Sequence, residues 1–387
     1  MNDALQSRHH RILHSVAIAT LASGLFWTGF PVYMLKLADV NSDFRFSLSE
    51  IYAFAVAGSF IFSAISGRWA DIGRHREFSI ASQLASAGLI GVIAALSCSG
   101  SYVAVLFVLP FMYFNFAFGG VMESVWLFEK SEHAELKDKV IFRGVILTGM
   151  KIIGFALGPL CFGALGFAAL AICAVLFAAA SVVQLQFLKL QQPMEKIDVH
   201  GLERVSFFKT ACESKALWAG LLTGALSVPL NPIFAGRALQ LGGDGAASCF
   251  WLCAGLASIA GMLCIKRFKI TGSFRQLLIA SVVMMFAVAS ALLAKNSDFV
   301  IASASLYVFC IPLFSVQLQL RILQNTRDVA DENLGSRVAF LAFITDGGIF
   351  LGMTAAAASE RLGAPAQLVA VVVLLALRLQ RFAKSDD

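Results

Sequence analysis

Glu123, Lys151 and Asp346 are ionisable residues set inside stretches that are otherwise apolar, and Arg143 stands at the edge of another. A charged side chain at the centre of a membrane helix costs about 2.5–3.5 kcal/mol on insertion scales, so each is a functional candidate. Two chemistries follow from the residue types. A carboxylate shielded from water, Asp346 or Glu123, can take up and release a proton. An ammonium such as Lys151 can hold an anion or act as a carboxylate's counter-ion. Depth refines these roles. Lys151 lies about 12 residues into its apolar stretch, roughly 18 Å at ~1.5 Å per residue, near the midplane of a bilayer core. Asp346 reaches a similar depth after Arg337, so the two could face one cavity. Glu123 sits nearer the end of its stretch, level with Arg143 on the next one. That placement suits an ion pair closing the end of the bundle or a proton-carrying carboxylate, and both readings stand.

The elements that must position these groups are read from hydropathy. The chain has 387 residues, 58% of them hydrophobic and 14% charged, with a mean hydropathy of +0.78. Soluble domains carry roughly 25% charge, so the solvent of most of this chain is lipid. Polar breaks divide it into twelve apolar stretches near 12–35, 48–66, 78–97, 102–128, 140–163, 166–188, 216–236, 246–265, 275–294, 298–320, 337–358 and 365–380. Most approach the ~20 residues a helix needs to cross the hydrocarbon core, and helices are required because unpaired backbone groups in lipid are costly.

Charge placement orients the helices. With the N-terminus inside, only Lys36, Arg45, Arg237, Lys295 and Arg361 among the 30 basic residues fall on the outer side, and Lys151 lies within a helix. So strong a positive-inside bias predicts twelve crossings with both termini cytoplasmic. It also accounts for the net charge of +6 without nucleic acid as a partner. The first apolar stretch reads as a span and not as a cleavable signal.

Arg143, Gly154 and Gly158 are matched by Arg337, Gly348 and Gly352, each pair separated by 194 positions. Glycines four apart let membrane helices approach closely, and paired halves of one bundle are a common transporter architecture. In this register Asp346 aligns with Ile152, beside Lys151, and Glu123 aligns with the neutral Gln317. The longest polar stretch separates six spans from six. The predicted organisation is an N-terminal six-helix bundle over 1–188, a cytoplasmic linker over 189–215 and a C-terminal six-helix bundle over 216–387. Within the linker, 203–214 could form an amphipathic helix on the membrane surface.

The turn after the second stretch reads Gly67-Arg-Trp-Ala-Asp71-Ile-Gly73-Arg74-His-Arg76. It resembles the signature loop of the major facilitator superfamily, with one residue fewer between the aspartate and the second glycine. The resemblance implies an all-α integral membrane fold of twelve helices in two pseudo-symmetric six-helix bundles. It also implies a latch, in which Asp71, with Gly67, Gly73 and Arg74, meets the start of the eleventh span near Arg337. A carboxylate at the positive end of a helix dipole is stabilised by about 0.3–1 kcal/mol. In the fifth span, Gly154-Phe-Ala-Leu-Gly158-Pro159-Leu-Cys-Phe-Gly163 is similar to the motif of proton-coupled exporters of that superfamily, with Phe162 in place of one glycine. Drug exporters of this type carry an arginine in the fourth helix, where this chain has Asn115 or Phe116.

The resemblance further implies a cavity lined by the first, fourth, seventh and tenth helices. Candidates there are Trp27, Thr28, Tyr113, Asn115, Asn231, Tyr307 and Gln317. With 34 phenylalanines in the chain, an aromatic cavity for an amphipathic solute is the expectation. A sugar site would need more hydrogen-bonding side chains. Cys249 and Cys253 stand one turn apart without a histidine nearby, and all six histidines lie near the expected cytoplasmic ends. No nucleophile elbow, phosphate loop or metal cluster is legible, so no enzyme and no cofactor is predicted. The expected function is secondary active transport of a small molecule, with proton-coupled export of an amphipathic or anionic solute first and symport or facilitated uptake second. The protein would be a monomer in the lipid bilayer of a plasma or bacterial inner membrane. A membrane sensor or assembly factor of transporter ancestry is the alternative from another class.

Overall fold

The computed structural model describes residues 2–40, 47–70, 74–128, 133–188, 215–227, 231–268, 273–324, 334–360, 362–363 and 371–377. Its helices are α1 (Asn2–Val40), α2 (Leu48–Trp69), α3 (His75–Cys98), α4 (Tyr102–Phe128), α5 (His133–Leu165), α6 (Ala169–Leu188), α7 (Lys215–Ala225), α8 (Gly236–Arg267), α9 (Phe274–Leu293), α10 (Ser297–Gln324) and α11 (Leu334–Glu360). A last helical segment, α12, covers residues 371–377. The fold is all-α and multi-pass, and each of the twelve apolar stretches coincides with helical structure.

Among the described residues, eight candidate spans are long and apolar enough to cross a membrane. One runs for 45 residues, Phe142–Gln186, about 68 Å at ~1.5 Å per residue and too long for one crossing. The chain divides it with a short 3-10 turn at Gly166–Ala168. Gly166 adopts φ +56 there, a conformation that glycine reaches without the steric cost of a Cβ. The seventh stretch, expected as one span over 216–236, is not one continuous helix. After α7 ends at Ala225, residues Asn231–Ala235 form a π-helical turn. Pro229 and Pro232 lack the N–H groups that would continue the α-helical ladder. Gly243, with φ +68, interrupts α8 near its start.

The core divides along the chain. One cluster gathers Phe26, Phe30, Tyr52, Leu109, Phe162 and Phe177 from α1 to α6, with Met353 of α11 at its edge. A second gathers Phe234, Phe250, Met284, Tyr307, Phe314 and Leu375 from the residues after 230. A third, smaller cluster joins Ala70, Met122 and Val125 to Val338 and Ala339 of α11. Contacts between the two groups of helices concentrate where α2 meets α11 and α5 meets α8. The linker 189–215 lies, but for Lys215, outside the described residues, and so does the amphipathic helix expected within it.

Candidate functional site

Close glycine packing sets the position of α5. A Cβ on Gly24 of α1 would lie 3.1 Å from the Gly154 Cα, and one on Gly158 would lie 2.8 Å from the Leu25 carbonyl oxygen. Thr28 ties the same seam, its Oγ1 bonding the carbonyls of Gly24 (2.9 Å) and Phe155 (3.2 Å). The second half repeats the arrangement. A Cβ on Gly224 of α7 would lie 3.1 Å from the Gly348 Cα, and Gly348 backs directly onto the Leu221 backbone. Gly352 is buried one turn further along α11, and Pro159 lies inside α5. The repeated glycines therefore build equivalent helix contacts, α1 on α5 and α7 on α11.

That packing rotates Lys151 into the bundle. Ile152 beside it meets Gly255 of α8, and Gly154 meets α1. The exposed apolar residues Phe142, Ile153 and Leu160 mark the outer side of α5, opposite Lys151 at ~100° per residue. Lys151 is nonetheless exposed. Its side chain thus opens on interior space between the helices and not on lipid. Among the described residues its ammonium has no hydrogen bond and no carboxylate within 4.0 Å.

Asp346 of α11 faces the same region. Its Oδ2 accepts a hydrogen bond from the Ser59 hydroxyl of α2, and it lies within electrostatic reach of Lys151 and of Tyr113 on α4. Arg143 acts on Lys151 from two turns away and on Glu123 from the neighbouring helix. Four charges of zero net sum, Glu123, Arg143, Lys151 and Asp346, are therefore coupled in sequence from α4 through α5 to α11. Aromatic rings pack among the same helices. Trp27 and Tyr113 meet edge to face at 5.1 Å, Tyr52 bonds the Trp27 carbonyl, and Phe155 packs on Trp251 of α8 at 4.7 Å. Phe60 of α2 stacks between Phe343 (5.0 Å) and Phe350 (5.8 Å) of α11.

Glu123 is buried, and its Oε1 accepts from Gln83 Nε2 of α3 at 3.1 Å. Arg143 donates to Ser124 Oγ at 2.7 Å. The described residues hold no group of three or more His, Cys, Asp or Glu able to bind a metal.

No family model matches the sequence, and no curated protein matches it. Solved structures do match. A bacterial homologue of the iron transporter ferroportin, in an outward-facing state, is 14% identical with a TM-score of 0.70, over 97% of this chain and 99% of that one. The nucleoside transporter NupG, solved as a point mutant, is also 14% identical, with a TM-score of 0.68 and the same coverage. The chain has the major facilitator superfamily fold.

Within this major facilitator fold, several sequence candidates turn away from Lys151 and Asp346. Asn115 donates to the Ser82 carbonyl and to Ser86 Oγ, both at 2.6 Å, and so joins α4 to α3. Tyr307 is fully buried and bonds the Leu226 carbonyl at 2.5 Å. Arg74 pairs with Glu77 on the surface of its own helix. Gly67 is in α2, while Asp71 and Gly73 lie outside the described residues. Asn231, Gln317 and Arg337 are in helical segments, with their side chains outside what is described. Ser59, Tyr52, Phe155 and Trp251 were not legible as site residues. A serine or an aromatic in an apolar helix carries no signal of its own until a partner helix faces it.

Proposed function

We propose that this chain is a secondary active transporter working by alternating access, coupling the movement of a small amphipathic or anionic organic solute to protons. The observation that carries the reading is the approach of Lys151 on α5 and Asp346 on α11 inside the bundle. Charges kept inside a bundle only to hold a scaffold together can often be replaced by apolar residues with little loss of stability. The segments 1–188 and 216–387 are the two bodies that rock, joined by 189–215. Asp346 and Glu123 carry the protons, and Lys151 is the anion partner. Gly67, Asp71, Gly73, Arg74 and Arg337 form the latch, and both termini are cytoplasmic.

The two solved structures are of a bacterial homologue of an iron transporter and of a nucleoside transporter. Those cargoes share no chemistry, so the fold does not carry the cargo across. Export is the direction favoured by the glycines and proline of α5. A second reading, uptake by symport, is favoured by the site's electrostatics. An anion on Lys151 and a proton on Asp346 strengthen each other's binding, and such coupling is reciprocal.

The experiment is flux in proteoliposomes under an imposed proton gradient, with the wild type beside Lys151→Ala and a double Asp346→Asn, Glu123→Gln variant. Gradient-driven flux that survives neutralising both carboxylates would sink the coupling scheme. Ligand binding without counterflow would favour a sensor.

A further inference from the structure

The transporter reading leaves the cargo open, and the surroundings of Lys151 narrow it. Lys151 brings an ammonium with three donors to interior space and spends none of them on a described partner. Tyr113 is half-buried on α4 within reach of Asp346, and its hydroxyl likewise has no hydrogen-bond partner among the described residues. Both are hydrogen-bond donors. Asp346 offers less, since the Ser59 hydroxyl already occupies Oδ2.

Aromatic rings stand beside both donors. Phe155 stands one turn beyond Lys151 on the same side of α5, half-buried, with its ring against Trp251. Trp27 of α1 packs edge to face on Tyr113. Flat rings lining a cavity favour a flat apolar ligand body, because offset or edge contacts bring more than area burial alone. A chain of hydroxyls, as in a sugar, would find few acceptors or donors here.

We propose that this site binds a small planar aromatic monocarboxylate. The carboxylate lies on Lys151 and the Tyr113 hydroxyl, and the ring lies against Phe155 and Trp251. Asp346 itself meets the Ser59 hydroxyl of α2 and lies within electrostatic reach of Tyr113 on α4 and Lys151 on α5. The proposal rests on the transporter reading but can fail separately from it.

The test is thermal unfolding of the purified full chain titrated with benzoate, cyclohexanecarboxylate, benzamide and benzylammonium, since a ligand that binds the folded state raises its apparent stability. Benzoate is expected to bind at least tenfold more tightly than benzamide or benzylammonium, and severalfold more tightly than cyclohexanecarboxylate. Lys151→Gln removes the benzoate response, Lys151→Arg keeps it, and Tyr113→Phe weakens it severalfold. Benzamide binding as well as benzoate, or benzoate indifferent to Lys151→Gln, overturns the proposal. So does the absence of binding by all four probes. Stabilisation by benzylammonium that disappears in Asp346→Asn overturns the cargo class while leaving the transporter reading intact. Loss of all proton-driven flux in the liposome assay, with benzoate still bound through Lys151, overturns the transporter reading and leaves the binding site.

Discussion

The Ser59 hydroxyl of α2 donates to the Asp346 carboxylate of α11 across 287 positions of sequence, while Lys151 of α5 approaches that carboxylate without bonding to it. A single carboxylate thus answers to both groups of helices. Asp346→Asn keeps an acceptor for Ser59 and removes the charge. Flux driven by a proton gradient should fall at least tenfold while exchange of cargo at equal pH continues. Liposomes assayed with and without a pH step measure both, and unchanged gradient dependence would exclude Asp346 as the proton carrier.

Glycine seams hold the helices that present this site. Gly154→Leu and Gly348→Leu push side chains into the backbones of α1 and α7, and overpacking costs typically 1–3 kcal/mol, here about the upper end or more. Gly88→Leu is the control, because a Cβ there meets nothing within 4 Å. A surface substitution of that kind stays within about 0.5 kcal/mol. Unfolding curves of the three variants should separate two from one, and equal midpoints would remove the close-packing role.

Asn115 is a joint between α3 and α4 in this structure. Asn115→Ala should therefore cost about 1–3 kcal/mol, the usual loss when buried groups go unsatisfied, with cargo affinity changed less than twofold. Calorimetry on the purified variant gives both numbers. A large affinity loss with normal stability would return Asn115 to the cavity.

Glu123 receives Gln83 and lies within reach of Arg143. Removing a buried, hydrogen-bonded carboxylate leaves its donor unsatisfied, a loss of about 1–3 kcal/mol, more for charged groups. Glu123→Ala should be destabilised on that scale, and Glu123→Ala with Arg143→Met should recover much of the loss. A double-mutant cycle reads the coupling directly, and additive losses would show that the two charges do not support each other.

The charges inside apolar stretches and the glycine repeat were legible because each is a local property of composition and spacing. Lys151 and Asp346 could be matched in depth by counting residues along two helices. The family resemblance also placed Tyr307 and Asn115 in a shared cavity, while in the structure both side chains bond elsewhere. Tyr307 bonds the Leu226 carbonyl and Asn115 bonds α3, since depth says nothing of the direction in which a side chain leaves its helix. The expected seventh span was broken for a reason visible in the chain, its two prolines, but the position of the break depended on which turn could tolerate them.

The sequence by itself determined that this chain is multi-pass, that it falls into twelve helical stretches, and that a few charges are kept inside lipid at a cost. Hydropathy and the price of an unpaired backbone group act residue by residue, so they can be read without a fold. Only the tertiary structure decided that Lys151 opens on the interior, that Asp346 belongs to Ser59, and that Phe155 packs on Trp251. Those relations depend on helix rotation, which the glycine contacts of α5 with α1 and of α11 with α7 set only once the helices are packed.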